Sequence, residues 1–169
     1  MASENRPDMC VPCGEGLINL RVGAVIRKDG KLLMVKSARD YYYTVGGRVK
    51  FGETAEEAVV REVFEETGVQ MKAERLAFVH EVYFYGDGPA DRGKPIYELC
   101  FYYLMDVPDG FMPVNHRISE GDAIETLEWV PLDTPQRIFP EFFKTELPRL
   151  SPEVRFFSTD ALEHLYCEA

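Results

Sequence analysis

Residues 47–69 read Gly47-Arg-Val-Lys-Phe-Gly-Glu53-Thr-Ala-Glu-Glu-Ala-Val-Val-Arg61-Glu62-Val-Phe-Glu65-Glu66-Thr-Gly68-Val69. Thr54 can cap a helix, Glu57 three residues on completes a reciprocal capping box, and Gly68 supplies the stop. Apolar Ala55, Ala58, Val59 and Val63 fall near one face, so the spacing predicts a helix over 55–67. Glu62, Glu65 and Glu66 stand at i, i+3 and i+4 and project from one side of it. That choice works against stability. The Glu62/Glu66 pair costs ~0.2–0.5 kcal/mol as like charges at i, i+4, and Glu65 and Glu66 sit at the helix end whose dipole disfavours anions. Between 53 and 66 six glutamates face one arginine, a charge of −5. Two readings follow: an ordinary solvated acidic face, or a face that divalent cations neutralise. With oxygen donors alone, and no His or Cys in the segment, the second reading favours Mg²⁺ or Mn²⁺ over zinc. The Gly46-Gly47 pair adds a place where main-chain carbonyls can approach an ion, because no Cβ obstructs them.

Outward from this helix the chain reads as strands. Two apolar runs, 22–26 and 32–35, flank Lys28-Asp29-Gly30-Lys31, and Asp-Gly between such runs signals a β-hairpin. Residues 41–45 form a short strand before a glycine-rich loop over 46–52. Downstream, 76–85 and 96–105 are rich in Val, Phe and Tyr, with a Gly- and Pro-containing loop between them, and 125–130 is a further strand. Thr134-Pro135 has the form of a helix start, with Pro140 interrupting that stretch or beginning a new helix and Pro148 ending it. Strands, a helix, more strands and a final helix predict an α/β fold in which helices cover a mixed sheet.

The 169 residues suit one domain, which can bury roughly 70% of the surface of its unfolded chain. We divide it into a polar, mobile N-terminal arm over 1–16 and a single domain over 17–169. A composition of 46% hydrophobic and 28% charged residues excludes disordered and fibrous classes. The net charge of −10 argues against broad adhesion to nucleic acid or anionic lipid. The N-terminus lacks a signal-peptide pattern and no apolar run approaches the ~20 residues of a membrane span, so a cytoplasmic location is expected. Cys10-Val-Pro-Cys13 has the spacing of half a zinc ribbon, but Cys100 and Cys167 do not make a second pair, and reduced thiols are the preferred reading.

The segment 47–69 resembles the 23-residue signature of the Nudix hydrolase family: Gly, five residues, Glu, seven residues, Arg-Glu, an aliphatic residue, any residue, Glu-Glu, any residue, Gly, an aliphatic residue. Gly47, Glu53, Arg61, Glu62, Val63, Glu65, Glu66, Gly68 and Val69 fill every specified place. The resemblance implies a Nudix-type α/β/α sandwich with a mixed β-sheet between helices. It also implies a pyrophosphohydrolase, cleaving a diphosphate bond in a nucleoside diphosphate derivative or nucleoside triphosphate by attack of water on phosphorus. Carried over by position, Glu62, Glu65, Glu66 and the Gly47 carbonyl would hold Mg²⁺, with Mn²⁺ as an alternative, and Arg61 would pair with Glu53 to orient the acidic face.

Two carboxylates are candidates for the base, Glu62 and Glu120, the latter in a presumed loop over 119–122. Tyr43 and Tyr85 are candidates to stack on a nucleobase, although alternate residues of such strands more often face a core. In the family, ADP-ribose hydrolases tend to carry a proline about sixteen residues past the signature, where this chain has Tyr85. A nucleotide-sensing module without cleavage and a hydrolase of capped RNA ends are the competing functions. The complete acidic set weighs against the first and the global charge against the second. The partner expected is a small nucleotide, with no extended nucleic acid and no membrane, acting on a monomer or homodimer.

Overall fold

The computed structural model describes residues 6–88, 90–113, 117–120 and 123–162, with the backbone alone described at 117–120, 123 and 124. In chain order the elements are β1 (Cys10–Cys13), β2 (Gly16–Val25), β3 (Arg27–Lys28), β4 (Lys31–Lys36), β5 (Tyr41–Arg48), α1 (Ala55–Thr67), β6 (Lys72–Tyr85), β7 (Pro95–Asp106), β8 (Arg117–Glu120), β9 (Ala123–Pro131), β10 (Arg137–Phe139), α2 (Phe143–Glu146), a 3₁₀ turn (Leu147–Arg149) and β11 (Arg155–Asp160). The main path of the mixed sheet runs β11-β6-β7-β2-β5-β4-β9-β8. Strand β5 joins its two halves: Tyr42, Tyr43 and Thr44 pair with β4, whereas 45–48 pair with β2.

Successive side chains of a strand face opposite sides, and here both sides are covered. Val22 and Ala24 of β2 and Leu33 and Val35 of β4 pack with Ala58, Val59 and Val63 of α1. Val25, Leu32 and Met34 pack on the other side with Phe78, Phe143 and Leu147. The result is an α/β/α sandwich with one full helix on one face and a single short turn of helix on the other. Each fully buried aliphatic or aromatic side chain in these cores contributes about 1.5–3 kcal/mol.

Helix α1 is built as its sequence dictates. The Thr54 hydroxyl accepts from the Glu57 N–H at 3.2 Å, Glu57 accepts from the Thr54 N–H at 2.8 Å, and Gly68 ends the helix at φ 72°. Asp29 and Gly30 take φ values of 50° and 74° in the β3–β4 turn, as an Asp-Gly hairpin requires.

Two expectations are corrected, and one strand is added to those expected. Within 1–16, residues 6–13 are tied down: β1 pairs antiparallel with β2 about a turn at Gly14, Met9 N–H donates to Val49 O, and Arg6 donates to Gly52 O. Residues 1–5 lie outside the described residues. Thr134-Pro135 starts no helix. Thr134 N–H donates to Pro131 O and the Thr134 hydroxyl accepts from Gln136 N–H, closing a turn that sends Arg137–Phe139 out as a strand parallel to Tyr41–Tyr43. Strand β11, parallel to β6, was not foreseen; its residues are almost all exposed, so it carries no apolar alternation to read. Among the described residues no helix is long and apolar enough to cross a membrane.

Candidate active site

The acidic face of α1 meets the sheet at the end of β5, and two glycines make that approach possible. Gly46 has φ 147°, and a Cβ there would lie 2.2 Å from Val22 O. At Gly47 a Cβ would lie 2.4 Å from both Cδ and Oε1 of Glu62. The Glu62 carboxylate therefore occupies the space that any other residue's side chain would fill. This is a second reason for glycine at 47, beside the access it gives to the main-chain carbonyl.

Arg61 organises the acids. Its Nε and Nη2 donate to the two oxygens of Glu53 at 3.1 and 2.7 Å, and Nη1 donates to Glu62 at 2.6 Å and to Glu65 at 3.2 Å. Nη2 also donates to Arg48 O at 3.0 Å, which ties the helix to the strand carrying Gly47. Glu53 accepts a further bond from Lys50 N–H at 2.7 Å. Burial pushes Glu53 up, but the bonds from Arg61 and Lys50 outweigh it and hold its carboxyl below the ordinary range.

Glu62 and Glu66 behave in the opposite way. Burial raises Glu62 by more than Arg61 lowers it. Burial, followed by the proximity of Glu62, pushes Glu66 up to about 8. Glu66 accepts from the Gly46 N–H, yet its Oε2 is buried and has no hydrogen-bond partner. A buried, partnerless carboxylate oxygen beside a second acid costs about 1–3 kcal/mol or more unless a positive group satisfies it. Among the described residues no three His, Cys, Asp or Glu side chains converge closely enough to hold an ion as they stand. Glu62 and Glu65 are turned to Arg61 instead, and Glu65, about half exposed at 51%, has room to swing. The donor set, all oxygen with one buried orphan, fits a hard divalent cation.

The other expected site residues are scattered. Tyr43 is close: its hydroxyl donates to Glu125, a buried acid of β9 that also raises Glu66. Tyr85 is not brought to the acids. Gly47 pairs with Val22, Val22 with Phe101 and Phe101 with Val79; Tyr85 lies six residues beyond Val79, about 20 Å along the strand. Glu120 belongs to β8, paired with Ala123, and not to a loop; its side chain lies outside the described residues. Two clefts of about 470 and 500 Å³ lie away from the acids, near Lys28 and Asp106 and beside Glu56 and Tyr103. Cys10 and Cys13 mark the ends of an extended strand, about 10 Å apart by strand rise and too far to share one ion.

Sequence reasoning missed Glu125 and Arg21. Arg21 sits near enough to Glu62 and Glu66 to favour their ionised forms. Each is a charged residue in a strand that carries other polar residues, Asn19 in β2 and Thr126 and Glu128 in β9, so neither stood out in the sequence.

Comparison with known proteins agrees with this geometry. The chain is 31% identical over 108 residues to an ADP-ribose pyrophosphatase of Methanocaldococcus jannaschii, a match covering 62% of this chain and 60% of that protein. It is 38% identical over 72 residues to the NAD-capped RNA hydrolase NudC of Haemophilus influenzae, over 37% of this chain and 27% of that protein. The matches thus span less than two thirds of these relatives' lengths. In structure it is similar to the MutT protein of Bacillus halodurans, with a TM-score of 0.58, 17% identity, and coverage of 83% and 90% of the two chains. The description "NUDIX domain" matches residues 18–150, most of the chain and the whole of the acidic site, and the chain belongs to that family.

Proposed function

We propose that this protein is a metal-dependent diphosphohydrolase that cleaves a diphosphate bond in a small nucleoside diphosphate derivative or nucleoside triphosphate. The observation that carries this reading is the orphaned, buried Glu66 oxygen beside Glu62, within an acidic face that Arg61 has already oriented. Glu62, Glu65, Glu66 and the Gly47 carbonyl would hold the ion, Mg²⁺ or Mn²⁺ by their oxygen chemistry. When bound, it supplies neutralisation of the diphosphate oxygens and a lowered pKa for water.

The chain's own residues do the rest. Arg61 fixes Glu53, Glu62 and Glu65 relative to Arg48, so the acids and the Gly47 carbonyl keep one geometry. Glu62, whose oxygens lie against Gly47, is one candidate proton acceptor, and Glu120 is the other. Tyr43, whose hydroxyl donates to Glu125, would line the substrate side of the same site. A cytoplasmic location and a small substrate accord with the charge of −10.

ADP-ribose leads the substrate panel because of the Methanocaldococcus relative, although Tyr85 stands where ADP-ribose hydrolases of the family tend to have proline. The test is product release from ADP-ribose, dinucleoside polyphosphates, other nucleoside diphosphate derivatives and nucleoside triphosphates, with Mg²⁺ and with chelator. Turnover of at least one compound that chelator abolishes, and that Glu62→Gln and Glu66→Gln sharply lower in folded protein, is expected. No turnover of any compound with metal present would refute the proposal in favour of a binding module.

A further inference from the structure

The sheet face opposite the one on which α1 packs carries a second polar cluster that the hydrolytic reading leaves unused. Register alone assembles it: Asn19 pairs with Glu98 and Arg21 with Arg48. Asn19 and Arg21 are two apart on β2, so all four side chains share one face. They are linked in a relay. Arg48 Nε donates to Asn19 Oδ1 at 3.3 Å, and Asn19 Nδ2 donates to Glu98 Oε2 at 2.8 Å. Asn19 is buried, and Arg21, Arg48 and Glu98 are each partly buried. The cluster adjoins the acidic site across the sheet: Arg21 lies near enough to Glu62 and Glu66 to favour their ionised forms, and the Arg48 carbonyl accepts from Arg61.

Asp91, between β6 and β7, lies close enough to Glu98 to add to the rise that burial gives its carboxyl, and its Oδ1 is buried without a hydrogen-bond partner. A guanidinium is suited to phosphate, and a carboxylate with open lone pairs is suited to a pair of adjacent N–H or O–H donors. From the acids outward the order is therefore metal-binding carboxylates, arginines, and then acceptors in need of donors.

We propose that Glu98, oriented by Asn19 and Arg48, is a specificity-determining residue that accepts two adjacent donors from the moiety attached to the diphosphate, while Arg21 and Arg48 face the phosphate. Two sources carry such a donor pair: the vicinal diol of a ribose and the imino-amino edge of a guanine. The inference rests on the hydrolytic reading for its account of the diphosphate, but its test does not need turnover.

Binding of AMP, 2′,3′-dideoxy-AMP, GMP and IMP to the full chain is measured by calorimetry in Mg²⁺ buffer. None of the four has an anhydride to hydrolyse. A preference of about tenfold for AMP over its dideoxy analogue assigns the diol, and the same preference for GMP over IMP assigns the base edge, as expected for a hydrogen bond to a charged acceptor. Glu98→Gln should erase whichever preference exists by weakening the better ligand, with the poorer one unchanged. Glu98→Asp, which keeps the charge and withdraws the carboxylate, should do the same and serves if Glu98→Gln does not fold. Absence of binding, absence of either preference in the unaltered protein, or a preference that survives in the folded variants would overturn the inference. Should this occur while hydrolysis of a diphosphate is intact, the proposed function stands and the assignment of Glu98 alone fails.

Discussion

Replacing Gly47 with alanine tests the packing of the acidic site with the smallest available change. The backbone at 47 is outside the left-handed region, so alanine brings no conformational strain and the effect is steric. An added Cβ would sit 2.4 Å from Cδ and Oε1 of Glu62 and 2.6 Å from Oε2. Carbon–carbon contacts are comfortable at about 3.5–4.0 Å, so the carboxylate must retreat by about 1 Å or more. That movement pulls Glu62 from the 2.6 Å bond with Arg61. Misplacement of a catalytic group by about 1 Å costs roughly 10²-fold in rate, while stability should fall by only about 1–2 kcal/mol, the worth of one charge-assisted bond. The assay is steady-state hydrolysis of the best substrate across a Mg²⁺ titration, with thermal unfolding followed by circular dichroism. A kcat about 10²-fold lower in folded protein is expected. If Gly47→Ala instead keeps kcat and metal dependence within about twofold of the parent, the glycine does not serve to seat Glu62 and the steric argument is wrong.

Other outcomes follow from the same geometry. Arg61→Lys replaces a fork that reaches Glu53, Glu62, Glu65 and Arg48 O by a single ammonium, and should cost about 2 kcal/mol in urea unfolding together with most of the activity; near-parental values for both would refute the organising role. Glu66→Gln removes a buried carboxylate that repels Glu62, so the metal-free variant should melt no lower than the parent. The parent should gain about 2.7 kcal/mol at a hundredfold excess of Mg²⁺ over its Kd, and a variant that gains as much would remove Glu66 from the ligand set. His80 is buried against Phe142 and its pKa is lowered by burial to about 4. Above pH 6.5 it is neutral in both states, and as pH falls from 6.5 to 4 only the unfolded chain takes up the proton. Stability should therefore drop with acid by up to about 3 kcal/mol relative to His80→Gln, and parallel urea midpoints for the two proteins between pH 7 and pH 4.5 would contradict the assignment.

The sequence was most legible where structure is local. The capping box at Thr54 and Glu57, the Gly68 stop and the Asp29-Gly30 hairpin each depend on residues within four positions of one another, and each forms as read. The i, i+3, i+4 acids likewise needed only the helix. What was not legible depends on distant pairing. Residues 137–139 become a strand because Tyr41–Tyr43 offers a free edge, and nothing between Thr134 and Pro140 encodes that partner. Residues 10–13 pair because β2 is long enough to extend past β5, which the sequence Cys-Val-Pro-Cys does not itself show. Glu125 and Arg21 join the site through strand order and register, so only their chemistry was visible, as charges among other polar residues of their strands. Tyr85 shows the converse: its type suits a base-stacking role, and the register carries it to the wrong end of the sheet.

Strand β5 serves as a splice. Its first half belongs to one part of the sheet and its second half to the other, so Tyr43 and the Gly46-Gly47 pair are threaded on the same ribbon. Insertion of a single residue between them would move every later side chain one place on and to the opposite face, bringing a non-glycine residue to the place of Gly46, where a Cβ lies 2.2 Å from Val22 O, and Gly47 to the place of Arg48. One extra peptide would thus wedge β5 from β2 and strip the neighbouring polar cluster of its cation together, leaving no partial version of the site for the chain to fall back on.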